Sequence, residues 1–559
     1  MTRRRLLLTL ATLLACGFVW YFVYPPVSDY FDKLPDGRDP VLVTIGPETT
    51  RIVEPLTKSG YPDYVAALNI AESRGADPHD NLVIPLLRVA GPVELDAEQL
   101  EFYARLKIPP LPKSGAYLVP WHVYVDTLSK PVPIEGAEDP LTPEAIPSNA
   151  ASERLSTLLD EVDRDLWTEE ERRIVDAWLD AQESALAALE DVESKTSYYA
   201  PYTTSDDDRF MMRVLLPVTG NLRRVCETLK ERASARAERG DFDGAWSDLR
   251  KILHISNVAA RPKLIVERLV ASACRGYAYD ALARVVVDPR LDAATLARMR
   301  TEFRALTPPL TYRDCYDQAE RFAFLDVVRL YAEYGYRYAL DQMGPQAKQP
   351  IAKAPMSERR RLDYDEMLRN ANAHFDRIVA VWDIPDHAGR MAAMTVVTDE
   401  LQTSTRELED WRTKLAAPFV TRATRTHNAY LILRNLMTPA VLSVLQAETK
   451  LALRRDMLDT AFALALYRKR HEKFPATLAD LMPEFLPAVP LDPFVGRSLT
   501  YRTDGRGFFL AGDGQYDPTG NSGNPDAAPP IATPDFYPQR RVPETLDHAV
   551  DPDTQSTNP

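Results

Sequence analysis

The sequence predicts a mainly α-helical protein with an N-terminal transmembrane helix, a helical repeat-like body and a small C-terminal α+β region, in which a sheet packs on a helix. Three observations predict this fold class. Residues 6–24 contain no charged side chain. Apolar residues recur with the 3.6-residue period of an amphipathic helix from about residue 152 onward. Residues 498–512 alternate around an Asp504-Gly505 turn, as the two strands of a hairpin do.

The first region, residues 1–26, has the pattern of a membrane anchor. Three arginines precede residues 6–24, and a helix of that length spans about 28 Å, close to the hydrocarbon thickness of a bilayer. Aromatic residues cluster at the far end of the run, and Pro25 and Pro26 stop the helix. The arginines predict a cytoplasmic N-terminus and place the bulk of the chain on the outer, periplasmic side of a bacterial cytoplasmic membrane.

Two other interpretations of this region remain open. Residues 13–16, Leu-Leu-Ala-Cys, resemble the processing site of bacterial lipoproteins, which would make Cys16 the lipidated residue. A cleaved signal peptide is the second alternative, with a shorter apolar stretch that ends in small residues. Because bulky aromatic residues continue the run to Tyr24, the sequence favours a retained signal anchor with a single pass through the lipid bilayer.

Residues 27–148 form a region of mixed α/β prediction. Two segments, 41–46 and 117–125, have the composition of short strands or extended chain. Between them, glycines and prolines separate two short helices, the first of which ends at Gly75. A stretch rich in Pro, Glu and Ala over residues 126–150 marks the boundary with the next region.

Residues 149–427 are predicted to form the helical body. One helix begins with Thr168 three residues before Glu171, which is the spacing of a capping box. Further helices are predicted at 209–238, 242–257, 262–286, 294–306, 313–342, 361–384 and 386–417.

The stretch around Gly240 resembles the helix-turn-helix unit of tetratricopeptide repeats. Gly240 supplies the tight turn, Ala245 allows close contact between the helices, and the second helix has apolar residues on one side. The inward-facing residues are Leu249, Ile252 and Leu253. An ordinary helical hairpin is the alternative, since repeat arrays need three or more stacked units.

Composition and motifs favour a protein without enzymatic activity. The net charge of -14 argues against nucleic acid as a partner through bulk electrostatics. The sequence contains no P-loop, dinucleotide-binding fingerprint, nucleophile elbow or pair of histidines at metal-ligand spacing. Cys226, Cys274 and Cys315 lie in helical patterns and are expected to be buried thiols. One disulfide among the three is the alternative if this region lies outside the cytoplasm.

Residues 428–523 are predicted to form a long helix followed by a small sheet. The helix spans about 428–472, and Pro475 stops it. A short amphipathic helix over 476–486 and a proline-rich extended stretch follow, before the hairpin around Asp504-Gly505.

This order of elements resembles the C-terminal head of the major pseudopilins of type II secretion systems. The residues that carry the resemblance are Tyr467, Phe474, Pro475, Leu491, Asp492, Pro493, Phe494, Gly496, Tyr501, Gly512, Asp513 and Gly514. The resemblance implies a small sheet packed on a helix. It does not imply assembly into a fibre, because pseudopilins join the head directly to an N-terminal hydrophobic helix. The last loop of that family often binds calcium, which makes Asp513 and Asp517 candidate calcium ligands, with a solvated loop as the alternative.

Taken whole, the chain resembles a group of large bacterial envelope proteins without an assigned activity. The shared motifs are GYPDYVAALN, GADPHDN and AGP near the front and FP, PLDPF and YR near the end. Residues 524–559 are rich in Pro, Asp and Thr and are expected to be a disordered tail. The sequence therefore favours a non-enzymatic scaffold or adaptor that binds other envelope proteins. An envelope hydrolase with scattered site residues and a secretion-system assembly factor are the alternatives.

Overall fold

The structure, a computed structural model, describes residues 39–93, 99–128, 154–155, 157–160, 167–204, 210–343, 352–409, 421–438, 441–512 and 531–533. The chain divides into two compact units, unit 1 with residues 1–281 and 302–452, and unit 2 with residues 282–301 and 453–559. The predicted transmembrane segment lies outside the described residues. Within the described ranges, no helix has the length and apolar character needed to cross a membrane.

The described part is mainly helical, as predicted, with small antiparallel sheets near the C-terminus. The first helices are α1 (Tyr64–Glu72), α2 (Val83–Ala90), α3 (Gln99–Leu106), α4 (Trp121–Leu128), α5 (Glu169–Leu186), α6 (Pro217–Glu238), α7 (Phe242–Ala259), α8 (Ile265–Val287) and α9 (Ala293–Leu306). After a π-helical turn (Cys315–Glu320) come α10 (Arg321–Tyr334), α11 (Tyr336–Gln342), α12 (Met356–Arg359), α13 (Tyr364–Ala380), α14 (His387–Glu409), α15 (Arg422–Met437) and α16 (Val441–His471). A two-residue ladder pairs β1 (Thr203–Thr204) with β2 (Val214–Leu215).

The region predicted as mixed α/β, residues 27–148, contains helices and no strand in its described parts, 39–93 and 99–128. The expectation of a strand at 41–46 is wrong, because this segment is irregular and leads into a turn. At 117–125, residues 117–120 are irregular chain, and the expectation of a strand or extended chain is wrong from Trp121, where α4 begins. The two short helices predicted between these segments are present as α1 and α2.

A tertiary contact explains the helix α4. Trp121 and Val125, one helical turn apart, are both buried. The Trp121 ring packs edge-on against Trp178 of α5 at 5.4 Å, and its Nε1 donates a hydrogen bond to the carbonyl of Leu155 at 2.8 Å. An apolar stretch of this length is compatible with either a strand or a helix, and the contact with α5 selects the helix.

The local signals of the helical body are confirmed. The hydroxyl of Thr168 accepts from the backbone N–H of Glu171 at 3.1 Å, and the Glu171 carboxylate accepts from the N–H of Thr168 at 2.6 Å. Gly240 turns the chain between α6 and α7 with φ of +83°, and the Asp241 carboxylate caps α7. Ala245 and the three predicted inward-facing residues of α7 are fully buried.

A buried ion-pair network fastens α5, α6 and α7 together. Asp248 of α7 is fully buried and accepts from Arg232 at 2.7 and 3.0 Å and from Arg236 at 3.0 Å, both on α6. Arg232 also donates to the Glu183 carboxylate of α5 at 3.1 Å. A buried carboxylate requires such compensation, because it has lost its hydration.

The main apolar core of unit 1 surrounds α10, whose residues from Arg321 to Glu333 are all buried. Within this helix, Arg329 lies between Asp326 at 2.7 Å and Glu333 at 2.9 Å. The Glu333 carboxylate also accepts from the Ser59 hydroxyl, and Asp326 accepts from the backbone N–H of Met211 at 2.8 Å. The triad therefore anchors two distant segments of unit 1 on one helix.

Two predicted long helices are divided in the structure. The prediction over 313–342 corresponds to the π turn, α10 and α11, because Gly335 adopts φ of +102° and ends α10. The prediction over 428–472 corresponds to α15 and α16. Thr438 follows α15 and its hydroxyl donates to the carbonyl of Arg434 at 2.7 Å, and the next residue, Pro439, has no N–H with which to continue a helix.

Unit 2 contains the predicted hairpin, β5 (Thr500–Thr503) and β6 (Phe508–Ala511), after the short ladder of β3 (Leu491–Asp492) and β4 (Arg497–Ser498). The segment after Pro475 has a 3-10 turn (Leu478–Leu481) where an α-helix was expected. A third strand, β7 (Ile531–Ala532), pairs with β6. This strand corrects the expectation of a disordered tail for residues 531–533. Its two side chains are buried, which supplies the apolar contact that holds it on the sheet.

Contacts within unit 2 join the helix end, the proline-rich stretch and the sheet. The Phe474 ring packs on Phe508 of β6 at 5.0 Å. The Tyr501 hydroxyl of β5 donates to the carbonyl of Pro475 at 2.8 Å. The buried Asp492 carboxylate accepts from the N–H of Phe494 at 2.8 Å and so forms the turn between β3 and β4. Five of the residues that carried the family resemblance, Phe474, Pro475, Asp492, Phe494 and Tyr501, thus make packing or turn contacts within unit 2. Asp513 and Gly514 lie outside the described residues.

Candidate functional site

An open groove of about 500 Å³ lies between α14 and α15. We name it the α14–α15 groove; its lining residues are Val396, Asp399, Glu400 and Thr403 of α14 and His427, Leu431 and Arg434 of α15. Each set follows the i, i+3 or i+4, i+7 spacing that places side chains on one face of a helix. The groove is therefore formed by two facing helical stripes.

Glu400 and Arg434, two charged residues of the groove lining, each make defined contacts with neighbouring groups. Both oxygens of Glu400 accept from the guanidinium of Arg377 on α13, at 2.7 and 2.9 Å. This hydrogen-bonded ion pair lowers the pKa of Glu400. Arg434 donates to the backbone carbonyl of Glu400 at 3.4 Å, and its guanidinium lies 5.7 Å from the centre of the Tyr430 ring.

A buried histidine lies close to this ion pair. His374 of α13 contacts the Thr438 hydroxyl at 3.3 Å through Nε2. Burial, together with the positive charges of Arg434 and Arg377, lowers the pKa of His374 to about 4. The imidazole is therefore neutral at physiological pH and acts as a packing and hydrogen-bonding group.

The lining of the groove is both apolar and polar. Of its two apolar residues, Val396 is 56% exposed and Leu431 is buried. Asp399 and His427 are exposed on opposite helices. Glu400 is held ionised in its pair with Arg377, so this carboxylate is not a candidate general acid.

A second cluster of interest lies inside unit 1, at the start of α8. The Glu267 carboxylate accepts from the Tyr202 hydroxyl at 2.7 Å, and burial raises the pKa of Glu267 to about 8. Burial also raises the pKa of nearby Glu72, which accepts from the N–H of Lys263 at 3.2 Å. At the end of the π turn, burial raises the pKa of Glu320 to about 7.

Shifted pKa values of this kind are common at catalytic sites but also arise in structural contacts. The exposure of each acid decides whether it is catalytic or structural. Glu267 is only 2% exposed, and its carboxylate is already hydrogen-bonded to Tyr202. The backbone N–H of Ile265 acts on Glu320 in the opposite direction to burial and lowers its pKa. These acids therefore join α8 to its neighbours, and a substrate has no access to Glu267 in the folded chain.

The sequence-predicted site residues lie in several different places. Asp513 and Asp517, the candidate calcium ligands, lie outside the described residues and stay a prediction. Among the residues that the structure describes, no three His, Cys, Asp or Glu side chains lie together as a metal ion would require. Cys226, Cys274 and Cys315 are buried free thiols.

Sequence reasoning did not identify the residues of the groove. Its lining residues come from two helices, and nothing in the spacing of either helix predicts that they face each other. Glu267 and Glu320 were also missed, because a glutamate in an amphipathic helix is usually on the solvent side. The apolar residues that flank Glu267 on both sides in the sequence were the only available signal.

Comparison of the chain with protein families, with curated proteins and with solved structures finds no match. Inference of function therefore depends on the residues described above.

Proposed function

We propose that this protein is a non-enzymatic adaptor, tethered to the cytoplasmic membrane by residues 6–24, that binds other envelope proteins through the α14–α15 groove. The helical repeat-like body would present this groove on the outer side of the membrane. The observation that supports the proposal is the groove itself: two facing helical stripes, with the exposed Val396 on one of them and the ion pair of Glu400 with Arg377 beside it. Facing helices of this kind suit an amphipathic segment of a partner.

The first test of the proposal is site-specific photo-crosslinking in membranes. A benzophenone amino acid at Val396 of the full-length chain is expected to give a discrete adduct with a protein partner, because this side chain is exposed at the groove. Substitution Val396→Arg should reduce recovery of the same partner by about tenfold, since a charge would replace an apolar contact. The measurement is the yield of the adduct on denaturing gels, with the partner identified by mass spectrometry.

Val266 of α8 provides a matched control for this experiment. It is also a valine on a helix and is 50% exposed, but it does not line the groove. A crosslinker at Val266 is expected to give no adduct of the same mass. Equal adducts from both positions, or none from Val396, would contradict the assignment of the groove as the binding surface.

The membrane tether is tested by removal of residues 1–26. The shortened chain is expected to appear in the soluble fraction after ultracentrifugation, because the predicted apolar helix is its attachment to the bilayer. The full-length chain should be extracted only by detergent. If the shortened chain still sediments with membranes, tethering by a single helix is wrong.

A second candidate function is that of a secretion-system assembly factor. It is supported by unit 2, in which the end of α16, the turn around Asp492 and the sheet follow the order seen in pseudopilin heads. We propose this pseudopilin-like head as the finer description of unit 2, with calcium bound by Asp513 and Asp517. A crosslinker at the exposed Arg502 of β5 would capture a pseudopilin if this candidate is right.

A further inference from the structure

Two of the three described cysteines lie together between α6 and α8. Cys226 of α6 and Cys274 of α8 are both fully buried. The Sγ of Cys274 lies 3.9 Å from the backbone carbonyl oxygen of Leu222, one helical turn before Cys226. Burial raises the pKa of the Cys226 thiol, and the Cys274 thiol raises it further. The two thiols are therefore neighbours in the interior of unit 1.

Neighbouring contacts hold the two helices in this register. The Tyr277 hydroxyl of α8 donates to the Glu227 carboxylate of α6 at 2.8 Å. Arg223 of α6 donates to the same Glu227 carboxylate at 2.9 Å. On α8, Ala271 and Ala278 lie three positions before and four positions after Cys274 and are buried with it. The neighbouring thiols thus lie close in sequence to a direct hydrogen bond between α6 and α8.

The third cysteine is in a different environment. Cys315 begins the π turn and is also buried. Its charged surroundings are Arg268, Asp314, Glu320 and Lys263, and its pKa is raised to about 12 by burial. The structure thus pairs two thiols and separates the third, a distinction that the sequence alone left open.

We propose that Cys226 and Cys274 form a disulfide bond between α6 and α8 when the chain folds outside the cytoplasm, and that Cys315 remains a thiol. The inference rests on the localisation in the proposed function, since disulfides form and persist in oxidising compartments. The bond would link α6, the first helix of the tetratricopeptide-like hairpin, covalently to α8, the helix that follows this hairpin.

Formation of the bond requires an acceptor for two electrons, which would be a protein or small-molecule disulfide of the envelope. The thiolate of one cysteine attacks a sulfur of this oxidising disulfide, a mixed disulfide forms, and one thiol of the oxidant leaves. The thiolate of the other cysteine then attacks the mixed disulfide, the Cys226–Cys274 bond forms, and the second thiol of the oxidant is released. The two cysteines lose two protons, and the two thiols of the reduced oxidant take up two. Because both sulfurs are inaccessible after folding, the exchanges take place before the helices close.

The experiment is a disulfide map of the full-length protein from native membranes. Free thiols are alkylated with N-ethylmaleimide during denaturation, and the chain is digested with trypsin without reduction. The expected product joins residues 225–230 to residues 269–275, with a mass two hydrogens below the sum of the two peptides. The peptide of residues 314–321 should carry one maleimide on Cys315.

Reduction should lower the melting temperature by roughly 5 °C in the wild type and in Cys315→Ser, but not in Cys226→Ser.

The readouts separate this inference from the proposed function. Protease treatment of spheroplasts shows on which side of the membrane the bulk lies. If the bulk is outside and both peptides carry maleimide, the disulfide is refuted while the adaptor proposal stands. If the bulk is inside, the localisation is wrong, and the pairing is decided by refolding of the denatured full chain in a glutathione redox buffer. The 226–274 link must predominate there over any link to Cys315, and the opposite result overturns the inference.

Discussion

Replacement of Arg329 by methionine is expected to lower the free energy of unfolding of unit 1 by about 3–5 kcal/mol. Arg329 is 3% exposed and lies between the carboxylates of Asp326 and Glu333, which are themselves buried. Burial raises the pKa of Asp326 even with the guanidinium in place. Removal of the arginine leaves two acidic groups in an apolar core without a counter-charge, and that is the most costly way to disrupt a buried ion pair. Urea unfolding followed by circular dichroism measures the loss.

A surface pair of the same spacing supplies the control. Arg173 contacts Glu169 at 2.6 Å with the four-residue separation that also relates Arg329 and Glu333, but the two side chains are 77% and 81% exposed. Arg173→Met should change stability by less than about 0.5 kcal/mol. If Arg329→Met does not fold, Arg329→Lys retains one positive charge and should give a folded chain of intermediate stability. A loss below about 1 kcal/mol for Arg329→Met would show that the triad is not a stabilising anchor.

The second large effect is expected at Glu267, as a dependence of stability on pH. In the unfolded chain this carboxyl loses its proton near the ordinary value of 4.5, whereas in the folded chain its pKa is about 8. Between these values the folded state binds the additional proton, so the contribution of Glu267 to stability falls as the pH rises from about 4.5 to 8. Above pH 8 both states are deprotonated and the contribution is constant.

Glu267→Gln is expected to remove this part of the pH dependence. The amide cannot ionise, and its oxygen can still accept from the Tyr202 hydroxyl. At pH 8.5 the variant should be more stable than the wild type by several kcal/mol, on the order of 4 from the difference in pKa. At pH 5 the two proteins should differ little. The measurement is the free energy of unfolding in urea at pH values from 5 to 8.5.

Glu320 provides the internal comparison, because its pKa is also raised by burial, to about 7. Glu320→Gln should remove a similar slope over a pH range that ends about one unit lower, and therefore a smaller total change in stability. The two neighbours that act on the pKa of Glu267 are Tyr202, whose hydrogen bond lowers it, and Glu72, whose negative charge raises it. An unchanged pH profile in Glu267→Gln would mean that this carboxyl titrates normally in the folded chain.

Several elements of the fold could be predicted because their causes lie close together in the sequence. The capping box of α5 depends on two residues three positions apart, and the hairpin of α6 and α7 depends on Gly240 and the helical periods beside it. The β5–β6 hairpin has the Asp504-Gly505 turn that the alternation indicated, with the Asp504 carboxylate accepting from the N–H groups of Arg506 and Gly507.

Other elements depend on partners that are far apart in the chain. The backbone N–H and hydroxyl of Thr44, in the irregular segment at 41–46, both donate to Asp365, more than 300 positions away. The strand β7 is recognised only through its pairing with β6. The α14–α15 groove needs two helices to face each other, and the contact of Cys226 with Cys274 needs the register of α6 against α8.

The sequence by itself determined that the chain is mainly helical, where several of the helices begin and end, and where the C-terminal hairpin turns. It also carries the prediction of an anchor at residues 6–24. The tertiary structure alone decided that Trp121 begins a helix, that Glu267 and Arg329 are buried, and which two thiols meet. The physical reason is range: caps, turns and periodicity act over a few residues along the backbone, whereas burial and charge pairing depend on which distant segments pack together.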